Sequence, residues 1–268
     1  MNCPYCQSAN IYLRKAKTTL GYACYQCKAC FKYYNERTGT PFGFLQYPTD
    51  IVLLAVFYYY RYKNSLVDVT EHLTLRGFSI SHETIRLWSQ EIGTEIGLKF
   101  RYRRWGQCGK NWHMDITYLP VEGRWSYLYR AIDEENNLID VYLSDTPDKA
   151  AAEVFFKQCE HATGILPHKM ITDREKAFPG AIKRAFGEKV KHCDVRYLNN
   201  RIEQDHRHIK SRVRAMKGFK SSWCAMIFCH VFEEIKYFFR TPNKSLAQHR
   251  GIIASKFKGL LNLMGATA

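Results

Sequence analysis

Trp112-His-Met-Asp-Ile-Thr-Tyr118 alternates, with Trp112, Met114, Ile116 and Tyr118 pointing one way and His113, Asp115 and Thr117 the other. A period of two belongs to a strand. It begins where a helical period ends, so a sheet domain opens near residue 111. Glu122-Gly123 predicts a turn into a second strand over Trp125–Ile132. Asp133-Glu-Glu-Asn-Asn137 predicts another into a third strand over Leu138–Leu143, which gives an antiparallel meander.

Further along, Asp145–Pro147 opens a helix that runs to about Thr163 and stops at Gly164. His168–Thr172 reads as a short strand ending at Asp173. Ala177–Phe186 reads as a helix, Val190–Val195 as a strand, and a long helix runs from Arg201. The order βββ-α-β-α-β-α is that of the ribonuclease-H-like fold, an α/β class with a mixed sheet flanked by helices. In that topology Asp115 on the first strand, Asp173 past the fourth and Glu203 in the last helix converge at one edge of the sheet.

The last helix starts within Leu198-Asn-Asn-Arg-Ile-Glu203-Gln-Asp-His-Arg-His-Ile-Lys210. Seven residues are two helical turns, so Glu203, Lys210 and Lys217 form a stripe flanked by Arg207 and Arg214. Ile202, Ile209, Val213 and Met216 make the apolar stripe that packs on a sheet. A plainer role for Glu203 is that of the N3 acid in a capping box with Asn200. Asp115 can equally be part of a solvated strand face, and Asp173 a helix cap. Asp133, Asp140, Asp145, Asp148 and Asp205 are rival carboxylates, several of them in turns.

Three converging carboxylates suit phosphodiester chemistry. Two Mg2+ ions roughly 3.5–4 Å apart activate the nucleophile and stabilise the leaving oxygen, and hard oxygen donors hold them. Asp115 would bridge the pair, with Asp173 and Glu203 each completing one site, and Mn2+ can substitute. Lys210 is placed to hold a phosphate near the reacting bond.

The formal charge of +15 is unevenly spread: +5 over residues 1–45, +3 over 46–110, −2 over 111–200 and +9 over 201–268. Basic flanks around an acidic centre suit a protein that grips a polyanion and does metal chemistry between. Met1-Asn-Cys-Pro-Tyr-Cys6 lacks the basic and apolar regions of a signal peptide, so none is expected, and the longest apolar run, Ile51 to Tyr60, is too short to span a bilayer. The expectation is a cytoplasmic, nucleoid-associated protein without a membrane partner. Ten cysteines in such a chain argue for metal ligands and buried thiols rather than disulfides.

Cys3-x2-Cys6 and Cys27-x2-Cys30 have the spacing of a four-thiolate structural zinc ribbon over residues 1–45. Cys24-x2-Cys27 is an equally good knuckle and leaves the fourth ligand open. Residues 46–100 read as three helices, starting at Pro48-Thr-Asp50, Ser65 and Ser81, the second stopped by Gly77. They fit a helix-turn-helix whose recognition segment, Ser81–Trp88, would offer Ser81, His82, Thr84 and Arg86 to DNA. A structural three-helix bundle gives the same periodicity. Lys99–Lys110 reads as cationic, with residues 101–110 forming a basic linker. Residues 111–240 would be the catalytic domain and 241–268 a basic C-terminal tail.

Trp112–Tyr118, Tyr127-Leu-Tyr-Arg-Ala-Ile-Asp133, Ile171-Thr-Asp-Arg174, Tyr197–Lys210 and Gly218-Phe-Lys220 resemble the DDE transposases of bacterial insertion sequences. The likeness is nearest to the sixth insertion-sequence family, with its retroviral-integrase-like catalytic core and replicative, cointegrate-forming transposition. It implies Asp115, Asp173 and Glu203 as the catalytic triad and Lys210 as the basic residue that follows the glutamate. Binding of terminal inverted repeats, 3′-end cleavage and strand transfer into target DNA would follow, carried out by a homodimer or higher oligomer. Two departures stand out: Asp173 and Glu203 are closer in sequence than in that family, and the N-terminal ribbon is an addition. Two other readings are an Mg2+ nuclease that cleaves without joining, and a zinc-ribbon and helix-turn-helix DNA-binding regulator.

Overall fold

The computed structural model describes residues 2–173, 175–194, 200–241 and 245–265, apart from the side chains of residues 200, 201, 203–205 and 246. Arg174, Val195 at the end of the expected fifth strand, the Tyr197–Asn199 part of the motif, and the side chains of Glu203 and its rival Asp205 therefore lie outside the described residues.

A small antiparallel sheet opens the chain: β1 (Ile11–Lys17), β2 (Ala23–Cys27) and β3 (Tyr33–Asn35), in that order. Three helices follow: α1 (Thr49–Arg61), α2 (Leu66–Thr74) and α3 (His82–Tyr102). Ser65 and Asp68 close a capping box on α2, and Ser81 Oγ accepts from Thr84 N–H at the start of α3.

The main sheet contains β4 (Asn111–Val121), β5 (Arg124–Asp133), β6 (Leu138–Ser144), β7 (Lys169–Thr172) and β8 (Lys191–Asp194). Its order is β6-β5-β4-β7-β8, antiparallel across the first three strands and parallel from β4 outward. That is the ribonuclease-H-like arrangement the sequence implies. Between the strands lie α4 (Lys149–Thr163) and α5 (Ala177–Phe186), and after them α6 (Asn200–Ala215), α7 (Ser222–Phe238) and α8 (Leu246–Leu263). Asp148 caps α4 by accepting from Ala151 N–H at 2.8 Å, and Gly164 ends it at a φ of 66°.

Both faces of β4 are covered. Trp112, Met114, Tyr129 and Ile139 pack with Phe155, Phe156 and Phe178 of α4 and α5. On the opposite face Leu119, Leu128 and Val141 share a core with Ile209 and Val213 of α6 and Phe228 and Ile235 of α7. The polar side of the alternation is thus not solvated: His113, Asp115 and Thr117 are all buried. Helices α1 and α3 pack behind α7, and the same core runs on to Leu260, Leu261 and Met264.

Three expectations need correction. The third N-terminal helix runs to Tyr102, so it takes in the start of the expected linker. Arg101 then pairs with Asp140 at 2.6 Å, and Arg104 with Glu234 inside the protein. Those cations are internal partners and do not offer a linker surface. The C-terminal stretch is mostly helix, since Ser245 and Gln248 form a capping box on α8. Lys256 of α8 donates to the carbonyls of Phe238 and Arg240 at the end of α7.

Candidate active site

Register places two of the three carboxylates together. The last parallel pair between β4 and β7 is Met114↔Thr172. Asp115 is the next residue of β4 and Asp173 the first residue past β7, so each directly follows one member of that last pair. The position is the carboxyl end of the parallel strands, where open α/β sheets build their sites. Asp115 Oδ1 accepts from the Ile116 N–H at 2.8 Å. Helix α6 packs across β4 and carries Glu203 in its first turn.

His206, one turn beyond Glu203, is buried with Nε2 3.7 Å from Asp115 Oδ2. Burial holds its pKa well below the ordinary histidine range, and Arg130, Lys210 and Lys236 push the same way. It is therefore a neutral imidazole against the carboxylate rather than an ion-pair partner. Opposite Asp115 in the antiparallel register stands Arg130 of β5, fully buried. Its guanidinium donates to the Tyr237 hydroxyl at 2.8 Å and pairs with the equally buried Glu233 of α7 at 3.0 Å. Lys236 lies 3.6 Å from the same glutamate. A charged layer thus backs the candidate carboxylates.

Four rivals are committed elsewhere. Asp133 accepts from the backbone of Gly109, Glu135 and Asn137 in a turn. Asp140 holds Arg101 and Gln158. Asp148 caps α4, and Asp145 lies 3.5 Å from the Ser126 hydroxyl.

The cationic stripe is shorter than expected. Arg207, Lys210 and Arg214 are exposed on α6, but the helix ends at Ala215. Lys217 sits past that end at a φ of 58°, followed by Gly218 at 85°, and Gly218 N–H returns to Val213 O. A Cβ on Gly218 would lie 2.9 Å from the Pro120 carbonyl, so glycine is what fits this turn beside β4. Lys217 is therefore an exposed turn residue off the stripe. Lys210 lies 5.2 Å from the Tyr118 ring, which meets Trp125 edge-on; both rings are exposed.

In the expected recognition segment, Ser81 and Thr84 bond each other across the cap at 2.9 Å, and Arg86 pairs with Glu83. His82 remains exposed.

Sequence reading passed over His206, Arg130 and Glu233. The signals were present: an arginine inside Leu128-Tyr-Arg-Ala-Ile132, and two acids within the apolar run from Ala225 to Ile235. A charge that is fully buried in such a run is almost always paired.

At the N-terminus the sulfurs of Cys3, Cys6, Cys27 and Cys30 all lie within 4.8 Å of one another. Cys3–Cys30 is 3.6 Å and Cys6–Cys27 is 3.5 Å. The edge of a tetrahedron with Zn–S bonds of ~2.3 Å is about 3.8 Å, so the thiol set fits zinc. Cys30 and Ala29 N–H groups donate to Cys27 Sγ and draw that thiol down to about 6. Cys24 instead turns its sulfur toward the Tyr22 carbonyl, outside the cluster. Elemental analysis is expected to find about one zinc per chain. Cys30→Ser should remove it, and Cys24→Ser should keep it.

Among the described residues no helix is long and apolar enough to cross a membrane. The family model DDE_Tnp_IS240, a DDE domain, matches residues 109–242. The chain is 39% identical over 179 residues to the transposase for insertion sequence-like element IS431mec of Staphylococcus aureus, covering 64% of this chain and 77% of that protein. The transposase for insertion sequence element IS257 in transposon Tn4003, also of Staphylococcus aureus, matches to the same identity and coverage. Among solved structures, the HTLV-2 integrase catalytic core domain in complex with magnesium (trimeric form) aligns at 12% identity with a TM-score of 0.38. It covers 55% of this chain and 98% of its own.

Proposed function

The chain belongs to the DDE transposases of insertion sequences, a polynucleotidyl-transferase family, and we propose that it binds insertion-sequence ends, cleaves their 3′ ends and joins them to target DNA. The observation that carries this reading is the register that sets Asp115 beside Asp173, with the helix bearing Glu203 packed across β4.

Asp115, Asp173 and Glu203 would hold the divalent ions, two Mg2+ with Mn2+ as a substitute, because carboxylate oxygens suit hard cations. Such ions, when bound, make a water or a 3′-hydroxyl nucleophilic and stabilise the leaving oxygen. The chain's own residues do the positioning. The Ile116 N–H donates to the Asp115 carboxylate, and the buried His206 ring lies beside it at 3.7 Å. Arg207, Lys210 and Arg214 present an exposed cationic edge along α6 for phosphates, with Lys217 in the turn beyond it. Residues 1–45, with zinc on the four thiolates, and α1–α3 supply end recognition. The replicative mode, a homodimer or larger synaptic assembly and a place on the nucleoid belong to the same reading.

The discriminating experiment supplies purified protein with Mg2+, an insertion-sequence end and a circular target. A covalently joined product separates a transposase from a nuclease, which would leave only cleaved ends. A protein that binds ends and does neither would be a regulator. For the phosphate edge, Arg214→Ala is expected to weaken all duplexes alike and lower the slope of log affinity against log salt by about one unit. An unchanged slope would remove Arg214 from the interface.

A further inference from the structure

The outer face of the N-terminal sheet carries side chains that the catalytic reading does not use. Cross-strand pairing sets Tyr12 opposite Gln26 and Gln26 opposite Tyr33, so the three form one row across β1, β2 and β3. The opposite face holds Ile11, Tyr25, Tyr34 and Cys27, which pack over the cysteine cluster. Tyr12 and Tyr33 are about half exposed, at 49% and 58%. Each is overlaid by a cation: Lys28 is 5.9 Å from the Tyr12 ring and Arg14 is 4.9 Å from the Tyr33 ring. Beside the row, Tyr5 is exposed with Lys32 at 4.6 Å. Residues 2–35 include five cations and no carboxylate at all.

We propose that this face binds single-stranded nucleic acid, with Tyr12 and Tyr33 stacking on unpaired bases and Arg14 and Lys28 taking the flanking phosphates. A stretch with cations and no acid calls for a polyanion. Rings standing free of the core call for a flat π partner, and a base supplies one only when it is unstacked from its neighbours. A duplex buries those faces in its own stack and offers a ring only phosphates and groove edges. When a base takes the ring, the long Arg14 or Lys28 side chain swings to the phosphate, so both halves of one nucleotide are met. Sequence-tolerant capture of a displaced or frayed strand is the expected property.

The proposal rests on the reading that the chain works on DNA, yet its readout needs neither Mg2+ nor cleavage. Full-length protein, carrying Glu203→Gln to silence chemistry, is titrated against fluorescein-labelled oligothymidine and against a duplex of equal length. Tyr12→Ala/Tyr33→Ala is expected to weaken oligothymidine about 30-fold or more and to weaken a duplex of unrelated sequence far less. Tyr12→Phe/Tyr33→Phe keeps the ring and should bind like the parent. Equal loss on both probes would reduce the face to an electrostatic patch and overturn the proposal. So would no loss on oligothymidine, or a phenylalanine variant as weak as the alanine one. Zinc content equal to the parent's checks the fold. If the double variant fails that check, Tyr12→Ala alone is read by the same criteria. Strand transfer by the Glu203→Gln protein would sink the catalytic reading and leave this one standing.

Discussion

Glu203→Gln is expected to give a folded protein that binds end DNA with unchanged affinity and forms no strand-transfer product in Mg2+. The substitution keeps size and hydrogen bonding and removes only the negative charge. If that charge holds a divalent ion, several kcal/mol of charge stabilisation disappear and the rate falls at least about a thousandfold. The competing account makes Glu203 the N3 acid of a capping box with Asn200. Losing such an interaction costs about 1 kcal/mol of stability and leaves chemistry alone. The two accounts therefore differ by orders of magnitude in rate, and a gel assay of joined product decides between them. Asp115→Asn and Asp173→Asn should match Glu203→Gln, because the three act on one reaction centre. Near-normal joining by Glu203→Gln would instead turn attention to Asp205 on the same helix.

Local rules carried much of the architecture. The alternation from Trp112 to Tyr118 defines β4, and the turns at Glu122-Gly123 and Asp133–Asn137 define its partners. Ser65, Ser81 and Gly164 mark helix ends by capping chemistry that acts within one turn, whereas the cap of α4 is Asp148 and not the expected Asp145–Pro147. Asp115 and Asp173 fall together because register follows from those same strands. Long-range packing was not legible in this way. The Arg101 and Arg104 side chains look like a cationic surface until Asp140 and Glu234, far along the chain, are folded against them. The Glu203–Lys217 stripe assumes that α6 continues, and the left-handed turn at Lys217–Gly218 follows its end at Ala215. The polar side of β4 looks solvated when α6 and α7 are not yet in place. The first and third misses are cases of tertiary contact overriding a correct local period.

Arg130→Met is expected to destabilise the protein by about 3–5 kcal/mol, because the fully buried Glu233 loses its 3.0 Å partner and keeps only Lys236 at 3.6 Å. Replacing both partners, as Arg130→Met/Glu233→Leu, should recover most of that loss, since a well-packed apolar pair often equals a buried ion pair. The reverse single variant tests the details of the layer. Glu233→Leu removes the acid that lies between Arg130 and Lys236, at 3.0 and 3.6 Å. Burial already draws Lys236 down to about 7, even with Glu233 beside it. Above that pH the folded protein holds Lys236 neutral, and the loss of Glu233 strands only the arginine, which cannot shed its proton. Below it, the parent carries a Lys236 charge that the variant cannot stabilise, so the folded variant binds fewer protons than the folded parent. By linkage, the deficit of Glu233→Leu relative to the parent must widen as pH falls through about 7. Arg130→Met keeps Glu233 next to Lys236 and should not show that widening. Urea midpoints taken on both sides of neutrality separate the two variants. Parallel pH profiles would mean that Lys236 does not depend on Glu233 for its charge. The layer behind Asp115 would then be held by the Arg130–Glu233 pair alone.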